Sequence, residues 1–430
     1  MKKKEIIKSL IKDFHHKPLP DFSPRAISIP LDLNKIISLI GARRSGKTYL
    51  LYQTIGSLLK QTEKSNIIFI NFEDERLDIT GIELDLILQG YRELYPKNRL
   101  ESCYFFFDEI QNVPGWEKFI RRLFDTVSEH IYLTGSNAKM LSTEIATSLR
   151  GRSISYEVYP LSFSEYLSFK GIPFDLYVSE TKATIYNALE TYLVSGGFPE
   201  LLNVKDNDVK NRILQEYFDV MLFRDLVERY EIKNLIALKF FLKRLFASAT
   251  KQVSINRIYN DLKSAGIKTG KNSLYNFMSM AESIFLVHTI KKYSPKISIQ
   301  EFGERKVFVI DNGLLNAVVF QFSANTGKAM EQAVFWELKR RKDAIYFLKN
   351  GFECDFMTVS ESGIKNIIQV CHDISDPYTL KRELKGITAA AKKLGLKRGT
   401  IITYDQQDTI QENDITIDIV PLPVFLCEKW

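Results

Sequence analysis

Eight consecutive residues constrain this chain more than any other stretch. GARRSGKT, residues 41–48, follows the isoleucine-rich run KIISLI and precedes TYLLYQTIGSLLK, whose apolar residues recur at helical spacing. G-x-x-x-x-G-K-[ST] between a strand and a helix is the arrangement in which backbone amides wrap phosphate oxygens. Gly41 and Gly46 permit the tight turn, and Ala42, Arg43, Arg44 and Ser45 complete the loop. The helix N-terminus beyond adds favourable dipole charge. Lys47 is placed to reach the β- and γ-phosphates, and the Thr48 hydroxyl to ligate Mg²⁺. The cofactors expected are therefore ATP and Mg²⁺. Arg43 and Arg44 are unusual inside such a loop, and the sequence assigns them no firm role.

The rest of the site is expected at the ends of later strands. YFFFDE, residues 104–109, is an apolar run ending in two acids. Asp108 there is placed to hold Mg²⁺ through water, and Glu109 to orient or deprotonate the attacking water. HIYLTGSN is a further strand, whose end brings Ser136 and Asn137 to sense the γ-phosphate or hold that water. Arg150 and Arg152 in LRGR follow, either of them a candidate arginine finger onto a neighbouring subunit. Strands alternating with helices predict an α/β fold with a parallel sheet covered on both faces. Open sheets of that kind bind ligands at the carboxyl ends of their strands.

At 430 residues the chain predicts two to four domains. Hydrophobic residues make up 45% and charged residues 26%, a balance that excludes a disordered or fibrous chain. The basic opening MKKKEIIKSLIKDFHH is interrupted by charges before a signal-peptide core forms, and no apolar run is long enough for a membrane span. The expectation is a cytoplasmic protein without a membrane partner. Cys103, Cys354, Cys371 and Cys427 form no C-x-x-C pair, so reduced thiols are expected rather than a zinc or redox site. Cys371-His372 has no second pair of ligands and reads as an ordinary strand end.

The net charge is +7, and residues 205–296 carry 17 Lys and Arg against 9 Asp and Glu, an excess of 8. That basic region favours a polyanion partner. After LRGRSISYEVYPLSFSEYL the alternation gives way to helical patterns, broken at VSGGFPE. SINRIYNDLKSAG and KNSLYNFMSMAES then flank the turn GIKTG, and the strand-like IFLVHTIKKYS follows. Helix, turn, helix and β-wing is the order of a winged helix. Lys271, Asn272, Ser273 and Tyr275 open its candidate recognition helix, and Lys291 and Lys292 fall in the expected wing. From Gly327 onward a last α/β unit runs through KAMEQAVFWELKRRK, AIYFLKN, ECDFMTV, NIIQVCH, TLKRELKGITAAAKKLG and GTIITYD.

Taken together, GARRSGKT, YFFFDEIQNVPGWE, LTGSNAKML, LRGR, PLSFSEYL and GGFPE, in that order, resemble the prokaryotic AAA-type ATPases that carry a C-terminal domain of unknown function. MLFRDLVERY, DNGL (residues 311–314) and EQAVFWELKRR continue the resemblance, which covers residues 35–404. It implies an AAA+ core with a helical lid, a winged-helix middle domain and a C-terminal restriction-endonuclease-like fold. The expected divisions are residues 1–160 for the P-loop ATPase core, 161–204 for the lid, 205–300 for the winged helix and 301–430 for the nuclease-like domain. The family fold allows a homo-oligomeric ring, which composition itself does not show.

Nucleases of that fold hold Mg²⁺ between acids on a helix and two strands, with a lysine beside the last acid. Here Glu331 or Glu337 is the helical acid, Asp355 the strand acid, and Gln369-Val370-Cys371 stands where Glu-x-Lys is usual. Glutamine is a weaker ligand and cysteine cannot replace lysine, so the fold is expected without efficient cleavage. Two functions remain open. One is an ATP hydrolase acting on DNA. The other is a nucleotide-gated adaptor with slow turnover that recruits a protein partner through the middle and C-terminal domains.

Overall fold

The apolar runs that precede polar residues in the first third of the chain become parallel strands. A computed structural model describes residues 2–136, 149, 151–319, 325–349, 352–361 and 363–428. The chain divides into two units, Met1–Tyr159 with Ser283–Phe285, and Pro160–Glu282 with Leu286–Trp430.

In the first unit β1 (Ile36–Ile40), β2 (Ile67–Asn71), β3 (Tyr104–Asp108), β4 (Ile131–Gly135) and β5 (Ser153–Glu157) form one sheet in the order β2-β3-β4-β1-β5. Every pairing is parallel. All five residues of β1 are buried, and Tyr104 alone is not fully buried in β3, as expected of strands covered on both faces. The alternation-poor SISYE becomes the edge strand β5, which the sequence reading did not separate from the following loop. Helices α1 (Lys2–His16), α2 (Lys47–Leu58), α3 (Asp85–Leu94) and α4 (Trp116–Thr126) accompany the sheet. The basic opening run is helix α1: Ile7 and Ile11 are buried, while Lys3 and Lys4 pair with Glu83 and Glu93. Trp116, Phe119, Ile120 and Leu123 form one buried stripe of α4, the i, i+3, i+4, i+7 pattern of a helix laid on a core. Because β4 lies between β1 and β3, the loop after β1 and the acids after β3 meet across one intervening strand.

The second unit starts with helices. Ser162 caps Phe163–Phe169 in a capping box with Glu165, which is the physical content of the PLSFSEYL motif. Helices follow at Ser179–Ser195, Asn207–Val220, Leu235–Ala247, Ile255–Ser264 and Lys271–Ser283, with a π-helical stretch at Met221–Glu228. A mixed sheet completes the unit: β6 (Gln252–Val253), β7 (Val287–Lys292), β8 (Arg305–Val309), β9 (Ala344–Lys349), β10 (Glu353–Ser360), β11 (Gly363–Val370), β12 (Arg398–Thr403), β13 (Asp408–Glu412) and β14 (Ile415–Pro421). Their order is β13-β14-β12-β11-β10-β9-β7-β8-β6. The expected boundary at residue 300 falls inside this sheet, because β7 pairs antiparallel with β8 and parallel with β9. The helix Pro377–Leu394 is closed at both ends by its own residues: Asp376 at the N-cap, Pro377 in the first turn, and Gly395 left-handed at φ 70° after its end.

Two motifs of the second unit explain each other. The buried Asp311 carboxylate accepts the Leu314 amide at 3.1 Å, capping the helix Asn312–Val318, and the Gly197 amide at 2.7 Å. A Cβ on Gly196 would stand 2.0 Å from Asp311 Oδ1, so GGFPE and DNGL are two halves of one clamp. Among the described residues, no helix is long and apolar enough to cross a membrane.

Candidate functional site

β1 delivers its chain end to a loop that needs glycine at two positions. A Cβ on Gly41 would lie 2.1 Å from the Val158 carbonyl oxygen, and Gly46 sits at φ 93°, in the left-handed region. Arg44 also turns left-handed, at φ 63°. Beneath the loop the buried Arg25 donates to the Ser45 carbonyl at 2.8 Å and to the Tyr159 carbonyl at 2.9 Å. Nothing in its local sequence marks Arg25, because its partners are 20 and 134 residues away. Arg43 pairs with Glu73 at 2.9 Å.

Lys47 opens α2 with its side chain 4% exposed. Its ammonium donates to the Gly41 and Ala42 carbonyls at 3.2 and 3.1 Å and lies 3.4 Å from Glu109 Oε1. The Thr48 hydroxyl donates to Asp108 Oδ2 at 2.9 Å. From β4, the Thr134 hydroxyl donates to Asp108 Oδ1 at 2.5 Å and accepts the Glu109 amide at 2.8 Å. Thr134 therefore sets both acids, a role the sequence reading missed because the residue looks like an ordinary strand position. Glu109 holds left-handed backbone at φ 53°, a strain of about 1–2 kcal/mol for an L-residue. Gln111 donates to its carboxylate.

These contacts separate the two acids electrostatically. Burial first, and the Glu109 charge second, push the Asp108 carboxyl up to about 6. Burial also works against the Glu109 anion, but Lys47, Gln111 and Arg43 more than offset it and hold that carboxyl below its usual range. The result is a firmly ionised acid at residue 109 beside a more basic carboxylate at residue 108. Among the described residues, the buried hydroxyls of Ser45 and Ser136 have no hydrogen-bond partner. Two orphan hydroxyls beside a glycine loop are what a site for a polar ligand leaves when read without one. Asn137 and Arg150 lie outside the described residues. Arg152, the other finger candidate, pairs with Asp125 at 2.6 Å.

The second unit gathers another acid cluster. Glu331 from the helix Thr326–Arg340 and Asp355 from β10 come together, whereas Glu337 turns to Arg341 at 3.2 Å. Between the two acids stands Lys306 of β8, 6% exposed, ion-paired with Glu331 and 2.8 Å from Asp355 Oδ1. Gln369 on β11 accepts the Asp355 amide at 3.2 Å, and the Val370 amide donates to Asp355 Oδ2 at 3.0 Å. Burial, then the Asp355 charge, push Glu331 up to about 8. Burial disfavours the Lys306 cation, but Asp355 and Glu331 outweigh it and keep the ammonium charged. The sequence reading sought the lysine beside Gln369, at Cys371, and otherwise on the following helix, at Lys381 and Lys385, and not 63 residues upstream of Gln369.

The DNA-binding candidates divide. Lys271, Asn272, Ser273 and Tyr275 lie at the start of one helix, Tyr275 is 55% exposed, and the Lys271 ammonium sits 5.4 Å above the Tyr259 ring. Lys291 and Lys292 are not in a free wing. They lie on β7, between β8 and β9, because IFLVHTIKK supplies the apolar residues of an interior strand. Lys291 is also neutralised by Glu301 at 2.7 Å. A cavity of about 740 Å³ lined by Lys210, Asn316, Lys328 and Tyr404, among others, contains none of the expected site residues.

Residues 33–167 match a family described as an AAA domain, and residues 186–326 one described as a domain of unknown function. An uncharacterized protein of Methanocaldococcus jannaschii is 37% identical over 410 residues, covering 92% of this chain and 89% of that one. An uncharacterized protein of Haemophilus influenzae is 34% identical over 311 residues, covering 72% of this chain and 75% of that one. Among solved structures, AMPPCP-bound DnaA from Aquifex aeolicus aligns with 65% of this chain and 86% of its own at 14% identity. Its TM-score is 0.27, too low to bear on this chain.

Proposed function

This chain belongs to the family of AAA-domain proteins formed by these archaeal and Haemophilus relatives, and on that premise we propose that it binds ATP with Mg²⁺ and hydrolyses it. The observation that carries the reading is the convergence of Lys47, Thr48, Asp108 and Glu109 at the carboxyl ends of β1 and β3, with Thr48 2.9 Å from Asp108 and Lys47 3.4 Å from Glu109. The unpartnered Ser45 and Ser136 hydroxyls and the loop turning through Gly41 and Gly46 fit a triphosphate, and the Thr48–Asp108 pair fits a divalent cation. Bound magnesium supplies neutralisation of phosphate charge. The loop amides of residues 41–48 hold the phosphates, and Lys47 moves its ammonium from the Gly41 and Ala42 carbonyls to the γ-phosphate. That move frees Glu109, which takes a proton from the attacking water as the water oxygen bonds to phosphorus. The bridging oxygen leaves with ADP.

Calorimetry with magnesium ATP tests the reading. Native chain binds, and Lys47→Ala binds weakly or not at all. A folded native chain with no affinity for magnesium nucleotide overturns it.

The finer organisation belongs to the same proposal: an AAA+ core at 1–160, a lid at 161–204, and a winged helix and a restriction-endonuclease-like part that share the sheet β6–β14 instead of dividing at residue 300. The winged-helix reading is supported by two helices between β6 and β7, with β8 paired to both strands. With 17 basic against 9 acidic residues in 205–296, DNA is the partner this favours. The pairing of Lys291 with Glu301 favours instead a protein partner and a nucleotide-gated adaptor. DNA-stimulated turnover, with binding that weakens steeply in salt, selects the first; a low rate indifferent to nucleic acid selects the second. If Arg150 or Arg152 completes the site of a neighbour, mass measured with ATP shows a homo-oligomer.

A further inference from the structure

We propose that Lys306 is a tethered cation standing where a divalent metal would sit between Glu331 and Asp355, so that this acid pair takes no metal of its own. Three separate elements bring the groups together: β8 the lysine, the helix Thr326–Arg340 one acid, and β10 the other. A helical carboxylate, a strand carboxylate and an amide oxygen on the next strand are the hard oxygen donors a divalent ion takes. Among the described residues, however, no group of three acid, histidine or cysteine side chains can hold a metal. The position is filled: Lys306 is 6% exposed, touches both carboxylates and lies 5.4 Å from the Phe356 ring centroid.

Two further acceptors of the cluster are engaged as well. Asp355 Oδ2 takes the Val370 amide at 3.0 Å, and Gln369 Oε1 takes the Asp355 amide at 3.2 Å. A metal at about 2.1 Å from Asp355 Oδ1 would crowd an ammonium already 2.8 Å from that oxygen, cation against cation. An ion from solvent also pays an entropy of capture that a lysine fixed in a strand does not. The Lys306 ammonium thus balances the Asp355 charge at any magnesium concentration, and burial leaves the Glu331 carboxyl protonated at neutral pH. Cys371 and Gln369 at the end of β11 are what such a site tolerates, because nothing there has to bind an ion or activate water.

Mn²⁺ titration of the full nucleotide-free chain, read by electron paramagnetic resonance, tests this. Native, Glu331→Gln and Asp355→Asn chains bind the same number of Mn²⁺ ions with the same affinity. A native site that either variant removes overturns the proposal. Lys306→Met gains one Mn²⁺ per chain and melts at higher temperature in Mn²⁺, and Lys306→Met/Asp355→Asn loses both effects. A folded Lys306→Met chain with no added site also overturns it. Should Lys306→Met fail to fold, the native against Glu331→Gln comparison decides alone, since that exchange keeps the side-chain volume.

Discussion

Lys47 and Lys306 are both buried ammonium groups beside a pair of acids, yet the two sites are built in opposite ways. Lys47 starts a helix after a loop that turns through Gly46 at φ 93°, and it shares its ammonium among two backbone carbonyls and one carboxylate at 3.4 Å. Its two acids are consecutive residues at one strand end, and hydroxyls beside it have no partner. Lys306 lies within a strand, between strands on both sides, and its two acids come from elements 25 and 49 residues away. One lysine is held loosely enough to be drawn to a phosphate; the other is locked by both of its neighbours. Charge composition alone does not separate a ligand site from an internal ion pair. The backbone that presents the charge does.

The sharpest way to break this contrast is turnover. Glu109→Gln should keep nucleotide bound and lower kcat by roughly 10²–10⁴-fold, because the proton acceptor is lost while Asp108 and Thr48 stay. Normal hydrolysis by that variant removes Glu109 from the role given above. Next is folding: Lys306→Met should cost about 3–5 kcal/mol in urea unfolding, since two buried acids lose their cation, and should leave nucleotide affinity unchanged. Lys47→Ala inverts the pattern. It should weaken nucleotide binding by about 2–4 kcal/mol, roughly 30- to 1000-fold by calorimetry. If both lysines moved the same observable, the contrast would fail.

The smallest effect uses pH. His288 stacks near Phe335 and Trp336, and burial, then Lys339, push its imidazole down to about 3. The unfolded chain takes up that proton near pH 6.5, whereas the folded ring refuses it. Stability is therefore lost as pH falls below about 6.5. The ring keeps some solvent contact, so the loss should be on the order of 1 kcal/mol by about pH 5.5, and His288→Gln should flatten it. A slope unchanged by that substitution would place the acid sensitivity in another group.

The phosphate loop was legible because its parts are contiguous: eight residues carry the turn, the ammonium and the hydroxyl. Asp108 and Glu109 were legible because an aromatic strand ends in them. Arg25, Thr134 and Asp311 were not, since each acts on partners far away in sequence. β8 was hidden by its own function. RKVFV opens with two charges, which reads as a surface turn, and the second of them is the buried Lys306. β13 and β14 were missed because DTIQE and ITIDIVP pair as a hairpin whose outer strand is mostly polar. The second neighbour of the strand that carries Lys291 and Lys292 was hidden for a related reason: a strand at the end of a helix pair can continue into a larger sheet, and local patterning does not show it.

That shared sheet bears on how such proteins can be recombined. An exchange of segments between relatives joined in residues 293–304 would divide β7 from β8 and ask each to find a stranger's register. Joined ahead of β6, at Gln252, the whole set of strands travels together. Inheritance, in this part of the molecule, should come in one indivisible block.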